Sequence, residues 1–252
     1  MAKRKVDSRG YSSRKIDTRE LRQNFLIVCE GEKTEPKYFE AFPVPKDVVD
    51  IRGLGQNPSK LVNSTKKIIE QKEEGYYDQV WCVFDRDDWT AEDFNNAIAN
   101  SKIQEIKVAY SNEAFELWYV LHFEFLNSGI PRSDYIKKLD GLLGHKYKKN
   151  SEDIYDELID KQSIAIKNAK NLLKQYDSQT PVKNNPSTTV HLLVQELNKF
   201  IPSSNLLLEQ SIKNFADDPL ADFIGTFRSD ITDWGENHDH YLGQELLENH
   251  EA

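Results

Sequence analysis

Two short stretches concentrate the residues that can do chemistry. Glu30-Gly31-Glu32 follows the apolar run Phe25–Cys29, and Asp85-Arg86-Asp87-Asp88 follows the apolar run Val80–Phe84. A hard divalent cation such as Mg²⁺ or Mn²⁺ takes oxygen ligands, and one or two carboxylates with water and a phosphate suffice. Glu30, Asp85 and Asp87 are therefore the candidate metal ligands. Arg86, between the two aspartates, points either away or toward a phosphate. Acidic loops after strands are also ordinary solvated turns and helix caps, so the spacing alone leaves both readings open.

Other residues extend the candidate site. Glu116 lies between Phe115 and Leu117-Trp118 in a segment that is apolar on nearly every side. A carboxylate there needs a metal, a base to act as, or strong donors, because an unpaired buried charge costs several kcal/mol. It reads as a further acid near the metal, with a structural pair to a lysine or arginine as the other reading. Lys33, Arg52 and Arg86 are candidate phosphate contacts. Asn112, at a strand exit, is a substrate contact or a helix cap. Glu32 and Glu35 are further candidate metal contacts, though Glu32 stands near a helix start, where an acid is favourable without any catalytic role. His122 reads as a hydrogen-bonded core histidine or a proton carrier. Gly53-Leu54-Gly55-Gln56-Asn57-Pro58 joins flexible glycines to a helix start, a geometry able to cradle phosphate. It lacks the Gly-Lys-Ser/Thr of a P-loop and the full dinucleotide fingerprint, which argues against ATP or NAD.

The elements that must position these residues alternate. Unbroken apolar runs of five are strands buried on both faces. Strands are expected over 25–29, 48–52, 80–84 and 106–110, with helices over 34–42, from Asn57-Pro58-Ser59 to near Gly75, and over 91–101. Thr34 is the expected cap of the first helix. The alternation predicts an α/β fold with a mostly parallel sheet and right-handed crossovers. A buried helix follows over 113–123. From Pro131 the pattern is helical: 134–139, 154–159, 163–175, and a last helix opened by Asn185-Pro186-Ser187 and running through Phe200.

Five segments taken together carry a resemblance: CEGEKTEPKYF (29–39), GLGQNP (53–58), YDQVWCVFDRDD (77–88), SNEAFELWYVLHF (111–123) and NPSTTVHLLVQEL (185–197). In this order they resemble the RloB-like family, which is associated with bacterial anti-phage and restriction-linked gene clusters and is similar to the TOPRIM fold. In TOPRIM enzymes a Glu-Gly after the first strand and an Asp-x-Asp after a later one form the metal site. The resemblance implies these roles for Glu30-Gly31 and for Asp85 and Asp87, and it implies metal-dependent cleavage of DNA or RNA. A fold does not fix a function. The other reading is a non-catalytic module that binds a nucleotide or nucleic acid and signals to a partner from a defence or restriction gene cluster.

Composition sets the frame. The chain has 252 residues, 38% hydrophobic and 30% charged, which describes a globular protein rather than a disordered or membrane-embedded one. No apolar run reaches membrane-spanning length and the start has no signal-peptide pattern, so the expected location is the cytoplasm. Cys29 and Cys82 occupy matching places in two apolar runs and read as buried thiols. The net charge of −9 is unevenly spread: residues 1–22 hold eight Lys/Arg against three Asp/Glu, and residues 201–252 hold two against eleven. The expected layout is a basic flexible arm over 1–21, a TOPRIM-like domain over 22–125, a helical region over 126–200 packed on it, and an acidic variable tail over 201–252. A basic arm suits nucleic-acid contact and suits solubility equally.

Overall fold

The structure, a computed structural model, describes residues 23–87, 89–176 and 181–201. The expected basic arm and all but the first residue of the expected acidic tail lie outside the described residues, as does Asp88. The described residues up to Phe200 belong to one compact unit.

Five strands form the sheet, in the order β2-β1-β3-β4-β5: β1 (Phe25–Cys29), β2 (Val49–Gly53), β3 (Gln79–Asp85), β4 (Lys107–Asn112) and β5 (Ser187–Thr188). The first four run parallel, and β5 adds an antiparallel edge. Burial explains why β1 is apolar throughout. Phe25, Ile27 and Cys29 enter one core, while Leu26 and Val28 enter the other. Two helices, α2 (Pro58–Glu70) and α3 (Ala91–Ile103), supply Leu61, Val62, Phe94 and Ala97 to the second core. On the first face lie α1 (Thr34–Glu40), α4 (Glu116–Val120), α5 (Arg132–Leu143), α6 (Ile154–Leu158), α7 (Gln162–Leu173) and α8 (Val190–Leu197).

Tyr38 organises the first core. Its hydroxyl accepts from Trp118 Nε1 at 2.8 Å, and its ring packs against Phe39, Phe42, Phe115 and Tyr119. Edge-to-face pairs of this kind add directional preference to burial. They tie α1 to α4, and the acids near those helices are fixed as a consequence.

Several expected boundaries move. Lys33 occupies the cap position of α1 and makes no side-chain cap bond, so Thr34 is the first helical residue instead of its cap. Only Glu116–Val120 of the 113–123 segment is regular α-helix; tighter turns flank it, with Leu117 N donating to Ala114 O and His122 N to Tyr119 O. The larger correction is at Asn185-Pro186-Ser187. This stretch opens no helix: Ser187 and Thr188 pair with Asn112 and Ser111 as β5, and α8 starts only at Val190. Cys29 and Cys82 are free and buried.

Candidate functional site

The chain leaves β1 toward β2 on one side and returns to β3 on the other. The carboxyl ends of β1 and β3 are therefore a topological switch point, the crevice in which open α/β sheets bind ligands. Glu30 and Asp85 stand there on adjacent strands. Their proximity follows from register: Cys29 pairs with Val83, and Glu30 N donates to Val83 O at 2.8 Å.

Glu30 is held on both oxygens. Oε1 accepts from Trp89 Nε1 at 2.5 Å, and Oε2 accepts from the Asp85 backbone N–H at 3.2 Å. Burial still raises its carboxyl to about 7 against these two bonds, and Glu35 and Asp87 push in the same direction. Asp85 is only 5% exposed, and its Oδ2 accepts from the Phe115 N–H at 3.2 Å. Burial, then the charges of Glu30 and Glu35, lift it well above the usual carboxylate range, with Arg132 opposing.

The Asp-x-Asp loop is clamped to β4. Arg86 N donates to Ser111 O and Asp87 N to Glu113 O. Asp87 has φ +39°, close to the left-handed region that aspartate tolerates better than most residues. Its Oδ2 is paired with Arg132 Nη1, and Arg132 Nη2 lies 4.0 Å from Asp85 Oδ2. Burial works against the guanidinium's charge. The Asp87 hydrogen bond and the charges of Asp85, Asp87 and Glu116 outweigh it and hold the proton more firmly than on a free arginine.

Two further acids lie deeper. Glu35 is 7% exposed and Glu116 2%, and Oε2 of each has no hydrogen-bond partner. Glu35 on α1 is raised by burial and then by Glu116. Its carboxyl fills the space a Cβ on Gly31 would need, so a side chain there would have to displace the Glu35 carboxylate. Glu116 Oε1 has Lys149 Nζ at 3.7 Å. This is the lysine pairing offered as the structural reading of Glu116, and it reaches only one oxygen.

The remaining candidates sit apart from this cluster or at its rim. Lys33 is exposed at the start of α1. Arg86 pairs with Glu113 at 3.8 Å. Arg52 on β2 gives two hydrogen bonds to Asp50, at 3.0 and 2.7 Å, and Tyr77 donates to the same carboxylate. Asn112 Nδ2 donates to the carbonyls of Pro181, Val182 and Asn184, bracing that turn. His122 is a core residue, its Nδ1 2.9 Å from Trp118 O, and burial lowers its imidazole to about 4. The glycine loop packs on the site's own backbone: Leu54 N donates to Cys29 O, Gly55 N to Glu30 O, and a Cβ on Gly53 would meet Gly31 O at 2.5 Å.

The chain's match to known proteins falls on this part of the molecule. The sequence model of the family described as RloB-like protein matches residues 25–197, more than half of the chain. The chain belongs to the RloB-like family. No curated protein and no solved structure matches it. The matched span contains Glu30, Glu35, Asp85, Asp87, Glu116 and Arg132.

The donor set fits a hard cation. Carboxylate oxygens dominate it, they repel one another, and two buried oxygens have no partner. Among the described residues, no three His, Cys, Asp or Glu side chains are already gathered as metal ligands. Trp89 and a backbone N–H hold Glu30, and Arg132 holds Asp87.

Glu35, Trp89 and Arg132 carry more of the site than their sequence context advertised. Glu35 had a readable signal. It precedes Tyr38, Phe39 and Phe42 by three, four and seven residues, which puts it on the buried stripe of α1. Trp89 and Arg132 had none, because both arrive through tertiary contacts.

Proposed function

We propose that this RloB-like protein is a metal-dependent nuclease of TOPRIM-like architecture that cleaves DNA or RNA in bacterial anti-phage defence. The observation that carries the reading is the meeting of Glu30, half-buried, and Asp85, buried, at the switch point of a parallel sheet, with Asp87 beside them. Glu30, Asp85 and Asp87 would hold Mg²⁺ or Mn²⁺. When bound, the ion supplies charge stabilisation to the phosphodiester being cleaved. Glu35 and Glu116 lie deeper, each with one buried oxygen that has no hydrogen-bond partner. Lys33 and Arg86 stand at the rim as phosphate contacts, while Arg52 and Asn112 are engaged in contacts of their own. Arg132 and Lys149, both from the segment over 126–200, supply the positive charge that faces these acids.

One observation favours a second reading. The Arg132–Asp87 pair is what a non-catalytic module, binding a nucleotide or nucleic acid and signalling to a protein partner, would also display. For location, among the described residues no helix is long and apolar enough to cross a membrane.

The test is cleavage by the purified full chain on single- and double-stranded DNA and RNA with Mg²⁺ or Mn²⁺, beside Asp85→Asn. The wild type is expected to cleave, and the variant to lose at least about a hundredfold in rate, the scale of removing one group that stabilises developing charge. Cleavage by the variant at the wild-type rate rules out the catalytic assignment.

A further inference from the structure

If Glu30, Asp85 and Asp87 hold a divalent ion, as proposed above, the same oxygens are already in use. We propose that Arg132 is the resident cation of this cluster: it competes with the divalent ion for Asp85 and Asp87, and ion binding frees its guanidinium for a substrate phosphate.

Charge requires a resident. Five acids, Glu30, Glu35, Asp85, Asp87 and Glu116, act on one another here, and three of them are at least nine-tenths buried. Such a cluster holds together only if protons or cations balance it. Lys149 reaches Glu116 Oε1 alone. Arg132 faces the outer pair, with one nitrogen on Asp87 Oδ2 and the other 4.0 Å from Asp85 Oδ2. An ion bound through Oδ2 of both aspartates would take the oxygens that the guanidinium faces.

The placement of Arg132 also suits release. It is the first residue of α5, after Pro131 at the cap, so its backbone belongs to neither strand exit. The side chain is 35% exposed, which gives it a path toward solvent. Its Nε is buried without an acceptor, so the present pair leaves one donor unused. A planar guanidinium with donors to spare matches the paired oxygens of a phosphodiester, as an ammonium does not. A purely structural clamp predicts the opposite behaviour. Removing it would leave the aspartates splayed and weaken the metal site.

The experiment is a Mn²⁺ titration of wild type, R132Q and R132K, read by thermal melting and by the loss of the free-Mn²⁺ electron paramagnetic resonance signal. Competition predicts that R132Q half-saturates at about tenfold lower Mn²⁺, within the usual range of a coupling between two sites. R132K should fall between it and the wild type, and it carries the test alone should R132Q fail to fold. Without metal R132Q should melt below wild type, with the gap narrowing at saturating Mn²⁺. R132Q should also cleave more slowly despite binding metal more tightly. Equal or weaker Mn²⁺ binding by both variants overturns the competition while leaving the metal reading intact. A wild type that binds no Mn²⁺ overturns both. Crystals soaked in Mn²⁺ should show Arg132 withdrawn from Asp87, and an intact pair beside a bound ion would overturn the displacement.

Discussion

Two buried polar clusters lie side by side at the carboxyl end of this sheet, and they are built on opposite rules. Asp85 pairs in register with Ser111, and Ser111 pairs with Thr188. From Ser111 onward the polar groups satisfy one another. Ser111 Oγ and Thr188 Oγ1 are 2.9 Å apart, Ser187 Oγ donates to Asn184 O, and Thr189 Oγ1 bonds Val108 O while accepting from Tyr110 N. Asn112 adds three bonds from one amide group, though its Oδ1 has no partner. One strand away, the groups carry like charges, their carboxyls are pushed upward, and buried oxygens stay unpaired. Neutral, paired polar groups fix a structure. Like charges held together against their own repulsion store a demand for a cation or a proton, which is what a working site needs.

The contrast predicts opposite consequences for two similar substitutions. Asp85→Asn, the largest effect on cleavage, should leave stability unchanged or raise it, because it removes a buried charge from among like charges. Asn112→Ala should do the reverse. It deletes the brace on three carbonyls at a fully buried position, for a loss of about 3 kcal/mol. Cleavage per folded molecule should persist with KM unchanged. Thermal melts and steady-state kinetics on both variants decide this. A rise in KM without loss of stability would make Asn112 a substrate contact and dissolve the contrast.

Much of this organisation was legible in the sequence, for identifiable reasons. The strands β1 and β3 must be apolar on both faces, so they announce themselves, and the acids that follow them are necessarily at one sheet edge. The same tripeptide could not be read twice. Asn57-Pro58-Ser59 opens α2 because Asn57 Oδ1 accepts from Lys60 N at 2.8 Å. Asn185 instead donates to Glu113 Oε2 at 3.2 Å, and the edge of β4 captures Ser187 and Thr188 as a strand. The tripeptide is identical at the two places, and the second is captured by a tertiary partner. Arg132 was hidden for a related reason: nothing near it in sequence shows that α5 begins over Asp85 and Asp87.

A smaller effect lies in the pH dependence of the metal-free protein. Glu30 is raised from 4.5 to about 7, so the folded state holds a proton that the unfolded chain has lost. Stability from this group is complete below about pH 4.5 and falls as pH rises through about 7. His122 and His191, both lowered to about 4 by burial, act the other way below pH 6.5, where the unfolded imidazoles take up protons. Between pH 6.5 and 8 the histidines no longer contribute, and stability should fall, by about 1 kcal/mol from Glu30 with the raised carboxyl of Asp85 acting in the same direction. Glu30→Gln should remove the Glu30 part. Added Mn²⁺ should reverse the trend, because binding requires the ionised carboxylate. Chemical denaturation of wild type and variant across this range measures it, and identical pH profiles would show that Glu30 carries no held proton.

The smallest effect is expected at Arg52, where a charged pair stands outside both clusters. Asp50 and Arg52 lie opposite Leu26 and Val28 in register, on the edge strand β2, with β1 between them and β3. Their side chains are about one-third exposed, 33% and 37%. A pair so exposed contributes less than about 1 kcal/mol, since water screens it and two side chains must be ordered to form it. Arg52→Gln should therefore barely move the melting temperature, and Tyr77 would still donate to Asp50. Nucleic-acid binding is the sharper readout. An arginine already bonded through two nitrogens to its own carboxylate has little left for a phosphate, so the salt dependence of binding should be unchanged. Were Arg52 to leave Asp50 for the backbone of a duplex, its loss would lower the slope of log K against log salt by about 0.9. A drop of that size would extend the binding surface across β1 to the sheet edge, and the functional region could then no longer be confined to the exits of β1 and β3.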